Sequence, residues 1–362
     1  MDKTAEVLLS LLRTALSGCS GPVEDNVDWQ GVAALAGKQG VRGLAFEALE
    51  QLRREGASGR SFPDKAVLMQ WYGQTAFVER EYARHLSQAK EITELWREAG
   101  IRTIVFKGLA HSRYYPQPAH REFGDFDCFL IAPDGGTAYR EGNALARRRG
   151  LAVDDGWYKH SHIAYKRLTV ENHRFFTAAR RGGTDRMLNE YILRSIGGGT
   201  KLDRLEGTDI YVLPVVAEGL FMLYHSLTHF LVEGICLRHF CDWACWMKAN
   251  QDRMEWPAFY GLCKRFGLDG FADVLNTIAV RYLGLALHDR TVFADSPYAR
   301  RTVESALYDE SSIYNRGKGR WYERFHVIGN AFRYSWKYRY VARQSMTGYL
   351  WQFVYGFVRR SE

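Results

Sequence analysis

The spacing of apolar residues changes character twice along this chain. In AEVLLSLLRTAL (5–16) it is helical, with Leu8, Leu11, Leu12 and Leu16 on one stripe. Asp28 stands where an N-cap belongs ahead of WQGVAALAGKQG, and Gly40 is placed to close that helix. GASGRSFPD (56–64) has loop composition, and from Lys65 to Gly100 the pattern predicts a long amphipathic helix.

From residue 101 the period drops to two. IRTIVFK (101–107) is rich in β-branched residues and predicts a strand, followed by a short helix in LAHSRYY that Pro116 and Pro118 stop. DFDCFLI (125–131) predicts a second strand, PDGGTAYREGNALARRRG a turn and helix, and LAVDD a third strand. HSHIAYKRLTVENHRFF (160–176) holds two more strands joined near Lys166–Arg167, and DIYVLP (209–214) adds an edge strand. Helical spacing returns over 215–231, 236–249, 256–266 and 269–284, and no internal repeat is visible. The expected fold is α+β, a small mixed sheet flanked by N-terminal and C-terminal helical regions. The expected organisation is a helical region at 1–100, an α/β core at 101–214, a helical domain at 215–315 and a tail at 316–362.

Composition adds little until charge is located. The net charge is +8, and residues 316–362 carry ten Lys/Arg against two Glu, so the tail accounts for all of it. The same segment holds thirteen aromatics between 321 and 357. FRYSWKYRY alternates with period two, predicting an extended piece, while Tyr349, Phe353 and Phe357 recur at helical spacing. Interleaved bases and rings suit single-stranded RNA or an anionic membrane surface, or a tail that wraps the body with its rings inward. No stretch is apolar enough for a transmembrane segment: 217–235 is interrupted by Glu218, His225, His229 and Glu233. The N-terminus lacks the layout of a secretory signal, and the six cysteines show no CxxC, so the expected compartment is cytoplasmic.

The chemistry begins in GDFDCF. Alternate strand residues share a face, so Asp125 and Asp127 project together while Phe126 and Cys128 point the other way. Two carboxylates that close repel unless a cation lies between them, and Mg²⁺ prefers oxygen ligands of this kind. Glu171 shares a face with His173 on the candidate strand LTVENH and supplies a third carboxylate if that strand lies beside the first. Three acids around two metal ions suit an in-line nucleotidyl displacement. Gly108 follows a strand and opens a helix, where backbone N–H groups can hold phosphates, with Lys107 and Arg121 adding positive charge. The competing reading of GDFD is a turn with ordinary exposed acids.

The layout TIVFKG…YYPQP…REFGDFDCFL, with Glu171-Asn172-His173-Arg174 after it, resembles an uncharacterised bacterial nucleotidyltransferase family within the DNA polymerase β-like superfamily. VLPVVAEGLFMLYHSLTHF…LRHFCDWACW (212–246) resembles that family's helical region. The resemblance spans roughly 100–250, with a weaker echo at 27–49. It implies a nucleotidyltransferase core, with Asp125, Asp127 and Glu171 as catalytic metal ligands for Mg²⁺ (or Mn²⁺). It also implies nucleotide contacts at Lys107, Gly108, Arg121, Gly124 and His173, with an NTP as substrate. Where the wider superfamily has Gly-Ser or Gly-Gly before the acids, this chain has Lys-Gly-Leu. Three functional readings stand: a metal-dependent transferase with a hydroxyl or phosphate acceptor, a nucleotide-binding scaffold, and a transferase directed to tRNA ends. His225 and His229, four apart, read as a zinc pair, as a satisfied buried pair, or as lining of an acceptor pocket.

Overall fold

The computed structural model describes residues 1–18, 26–56, 61–178, 183–197, 199–232, 234–287, 294–309, 329 and 332–342. The chain forms two compact units, one of Met1–Tyr72 with Met222–Glu362, the other Gly73–Phe221. It opens on α1 (Lys3–Ser17), α2 (Trp29–Lys38) and α3 (Arg42–Arg54). The stripe of α1 is buried as expected, and Asp28 caps α2 by accepting from Gly31 N–H at 2.9 Å. Helix α4 (Lys65–Arg97) follows.

The second unit carries the sheet. Its elements in order are β1 (Arg102–Val105), α5 (Leu109–Ser112), β2 (Asp125–Ile131), α6 (Tyr139–Arg148), β3 (Val153–Asp154), β4 (His160–Tyr165), β5 (Leu168–His173), α7 (Gly183–Ile196) and β6 (Ile210–Val212). Six strands lie in the order β3-β4-β5-β2-β1-β6. The sheet is mixed: β5 runs parallel to β2 and β6 parallel to β1, while the other neighbours are antiparallel. β6 is an edge strand, as its sequence suggests, and Lys166–Arg167 closes the β4–β5 hairpin with Lys166 at φ +54°.

One face of this sheet is an ordinary core. Phe126, Cys128 and Leu130 of β2, with Ile163 and Val170, pack against Ile92 and Trp96 of α4 and Ala146 of α6. Helix α6 comes so close to β2 that a Cβ at Gly142 would stand 2.1 Å from Leu130 Cδ1. Asn143 of α6 also meets the sheet with polar groups. Its Oδ1 accepts from Ser161 Oγ of β4 and Asn172 Nδ2 of β5, both at 2.8 Å, which ties those two strands together. The opposite face carries Phe106, Phe129, Phe176 and Phe221, whose rings pack on one another at 4.6–6.4 Å between centroids.

The remaining elements are α8 (Val215–Val232), α9 (Leu237–Asn250), α10 (Trp256–Arg265), α11 (Asp269–Arg281) and α12 (Ala299–Tyr308). Trp243 and Trp246 of α9 are fully buried, and Trp243 Nε1 donates to Asn276 Oδ1 of α11 at 2.8 Å. One expectation is overturned here. FRYSWKYRY is not extended: Lys337–Val341 forms a turn of π-helix after a helical start at Phe332–Arg333. Its period-two alternation does not mark a strand face, because consecutive residues Trp336, Lys337 and Tyr338 are all buried. Tyr338 donates to Leu231 O at 2.7 Å and Lys337 pairs with Asp309 at 3.4 Å, while Arg333 and Arg339 stay exposed. The helical spacing of Tyr349–Phe357 lies outside the described residues. No described helix is long and apolar enough to cross a membrane.

Candidate functional site

Strand register builds the site. Because directly paired residues share a face, β4, β5 and β2 set out their side chains in rows. One row is His162, Glu171 and Asp127; the next is His160, His173 and Phe129; on the other side lie Ala164, Thr169 and Asp125. Glu171 therefore stands opposite Asp127, and Asp125 stands one row out, at the exposed start of β2.

Asp127, Glu171 and His173 are in direct contact. His173 Nε2 lies 3.0 Å from Asp127 Oδ1 and 3.2 Å from Glu171 Oε2. The Lys107 ammonium forms an ion pair with the same Asp127 oxygen. Burial pushes the Asp127 carboxyl up, but Lys107 and His173 outweigh it and hold Asp127 well below the usual carboxylate range. Glu171 is resolved the same way: burial raises it, and the hydrogen bond from His173 brings it down. Asp125 goes in the other direction: although the residue is exposed, partial enclosure of its carboxyl raises it, and so do the charges of Glu171 and Asp127.

The other expected residues are placed as follows. Gly108 adopts φ +49° and ψ −99°, and a Cβ there would lie 3.2 Å from that of Phe123, so both backbone and space call for glycine. The helix it opens has four residues, too short for a substantial dipole. Arg121 is nearly buried, its Nη1 donating to Glu122 O at 3.2 Å. Gly124 is exposed at the entry to β2, with open space where a Cβ would be. The sequence reading puts His173 among the nucleotide contacts. The structure buries it completely behind the carboxylates, with Phe106 edge-on at 4.9 Å, so its partners are Asp127 and Glu171.

Two histidines of β4 escape the sequence reading. His162 Nε2 lies 3.3 Å from Glu171 Oε1. His160 Nδ1 lies 3.7 Å from Glu171 Oε2, buried and without a hydrogen-bond partner. Burial, helped by the charge of His173, holds His160 down at about 4, so its ring is neutral near pH 7. The signal for both was the HSH alternation at 160–162, which points to one face but reveals a partner only once β4 is registered on β5. Among the described residues, the trio of metal-ligand type that gathers its donor atoms within 4.8 Å is His160, Glu171 and His173.

This donor set fits a divalent cation. Three carboxylates occupy adjoining rows, and a lysine ammonium already sits on the most buried of them, where positive charge is evidently required. The second histidine group stands apart. His225 and His229 have ring centroids 4.5 Å apart, and His239 joins them at 5.8–6.5 Å. His239 Nδ1 is engaged at the start of α9, taking the Cys236 N–H at 3.3 Å with Cys236 Sγ at 3.4 Å, and the capping role is the one these contacts support.

No curated protein and no solved structure matches the chain. A family model described as an uncharacterised nucleotidyltransferase does match it, over residues 25–284, which include the acidic rows and helices α2 to α11. With the strand–Lys-Gly–turn, the paired Asp127 and Glu171 and that match in agreement, the chain belongs to this uncharacterised nucleotidyltransferase family.

Proposed function

We propose that the protein is a Mg²⁺- or Mn²⁺-dependent nucleotidyltransferase that moves a nucleoside monophosphate from an NTP to a hydroxyl or phosphate acceptor. The observation that carries this reading is the placing of Glu171 opposite Asp127, with Asp125 two residues away on the same strand face. Asp125, Asp127 and Glu171 would hold two cations, which when bound neutralise phosphate charge and favour the attacking alkoxide or phosphate oxygen. The acceptor oxygen forms a bond to the α-phosphorus while the bond to the bridging oxygen breaks. Pyrophosphate leaves with that electron pair. The acceptor's proton goes to Glu171 or to a water that Glu171 orients. Lys107 would exchange Asp127 for a phosphate oxygen as the nucleotide enters, and Arg121, Gly108 and Gly124 border the same approach.

The test is pyrophosphate release and intact-mass shifts of candidate acceptors, with all four NTPs and either cation. Asp127→Asn should lower transfer at least about a thousandfold while circular dichroism stays unchanged, since the electrostatic contribution of such groups to the barrier is of that order. Transfer at the wild-type rate in Asp127→Asn would remove the assigned site. One observation favours a second reading, a nucleotide-binding protein without turnover: Lys107 pairs directly with Asp127 and can compensate its charge by itself. Calorimetric NTP binding with no pyrophosphate release across acceptors would select it.

A further inference from the structure

We propose that His160, Glu171 and His173 form a cation position of their own, selective for a nitrogen-preferring transition metal of the Zn²⁺ and Co²⁺ class rather than Mg²⁺. The proposal refines the transferase reading by naming a resident cation beside the oxygen-lined Asp125–Asp127 position, and the binding itself is independent of that reading. Glu171 would be shared between the two.

The donor set is the first argument. Two imidazole nitrogens and one carboxylate lie with their donor atoms within 4.8 Å of one another. Mg²⁺ seeks a shell of oxygens and keeps several waters, whereas imidazole suits Zn²⁺, Co²⁺ and their neighbours. An all-oxygen site would have no use for the two rings that close this one.

Unmet valence is the second. His160 Nδ1 is buried without a hydrogen-bond partner and faces Glu171 Oε2 at 3.7 Å. His173 shows the complementary arrangement. Its Nδ1 lies 3.4 Å from the carbonyl oxygen of Phe175, an atom that can only accept, so Nδ1 carries a proton. Its Nε2 points at two carboxylate oxygens 3.0 and 3.2 Å away, so the ring nitrogen and both carboxylates converge on one place. A cation at that meeting point would be bonded by the ring nitrogen and by a carboxylate oxygen together. A ring nitrogen fixed by a backbone carbonyl while the other faces a metal is the usual way a histidine ligand is oriented.

Rigidity is the third. All three residues sit on paired strands, His160 directly opposite His173 and Glu171 two residues before it on the same face. Behind them the Asn143 amide holds Ser161 and Asn172, so the two strands cannot slip in register without breaking buried hydrogen bonds. His162 meets the other oxygen of Glu171 from the exposed side and helps to orient it.

The experiment uses the full chain stripped with chelator and titrated with Co²⁺ in the absence of nucleotide, read by its visible absorption. Expected are new bands that an equivalent of Zn²⁺ displaces and about a hundredfold excess of Mg²⁺ does not. His160→Ala should weaken Co²⁺ binding at least about tenfold with unchanged circular dichroism, and His162→Ala by no more than about threefold. Displacement by equimolar Mg²⁺, or wild-type Co²⁺ affinity in His160→Ala, would overturn the proposal. If His160→Ala does not fold, the Mg²⁺ competition on the wild-type chain decides alone. Loss of transfer in Asp127→Asn with the Co²⁺ bands absent from wild type would sink this site and leave the transferase reading standing; the reverse outcome would do the opposite.

Discussion

Glu218 and Asp127 are both buried carboxylates of the same compact unit, yet they are compensated in different ways. Glu218 is fully buried and saturated: Arg113 meets it with two nitrogens at 2.9 and 2.7 Å, and Tyr114 donates its hydroxyl at 2.6 Å. No like charge crowds it in these contacts. Asp127 shares its cations. Lys107 and His173 both lean on one of its oxygens, His173 divides itself between Asp127 and Glu171, and Asp125 adds a third acid nearby. A carboxylate held for structure is given a dedicated fork-shaped partner. In the function proposed above, Asp127 is kept with partners that can leave it, and a ligand or cation would relieve its crowding of like charge.

The comparison can be broken most easily at Glu218. Glu218→Ala should cost about 3–5 kcal/mol, because it strands the Arg113 guanidinium in a site built for a pair. Denaturant unfolding measures this directly, and a loss under about 1 kcal/mol would mean that the pair is not structural. Tyr114→Phe removes one hydrogen bond to the same charge and should cost about 1.5–3 kcal/mol by the same assay. Arg113 would keep its two contacts, so the fold should survive and the dissection remains interpretable.

Asp125→Asn should act with the opposite sign. In the chelator-stripped protein it removes one of three crowded acids, so stability should stay level or rise by up to about 1 kcal/mol, the range for like charges on adjoining strand positions. The same substitution should depress nucleotidyl transfer. A side chain whose loss stabilises the fold and harms activity is marked as functional. If Asp125→Asn instead destabilises the protein as Glu218→Ala does, the difference drawn between the two carboxylates fails.

Much of this site was legible because strand period alone fixes which residues share a face. It put Asp125 with Asp127 and Glu171 with His173, and the turn at Lys166–Arg167 marked the hairpin. What it could not supply is register between strands distant in sequence. Whether His160 and His162 meet Glu171 depends on β4 pairing with β5, and whether Glu171 meets Asp127 depends on β5 entering beside β2 in parallel. The place of Lys107 after a strand suggests a phosphate ligand; that it rests on Asp127 is a tertiary fact. The tail misled for a different reason. In KYRYV the rings and bases alternate by composition, and packing against Phe230 and Asp309 rather than period decides the conformation. Helices α7 and α12 escape the sequence reading, although α12 is amphipathic, with Thr302, Val303, Ala306 and Leu307 buried along it.

The smallest expected effect concerns the wall behind the Lys107–Gly108 loop. The ring of His85 packs on Phe123 at 5.3 Å, and Phe123 is the side chain that presses on Gly108. Burial, followed by the charge of Arg84, lowers His85 from its ordinary value, outweighing Glu81 and the Phe123 backbone, which act the other way. The unfolded chain titrates near 6.5, so as pH falls through that value it takes up protons that the folded chain still refuses. Stability should therefore be undiminished above the unfolded value, decline as pH falls toward the lower folded value, and level off beneath it. His85→Gln removes the titrating ring, so its unfolding free energy should lose less than that of the wild type between pH 8 and about pH 5. Parallel curves for the two proteins would mean that His85 is protonated as readily in the fold as in water. The support it gives to the loop of Lys107 and Gly108 would then be polar and adaptable rather than the closed apolar backing that distinguishes this site from the solvent around it.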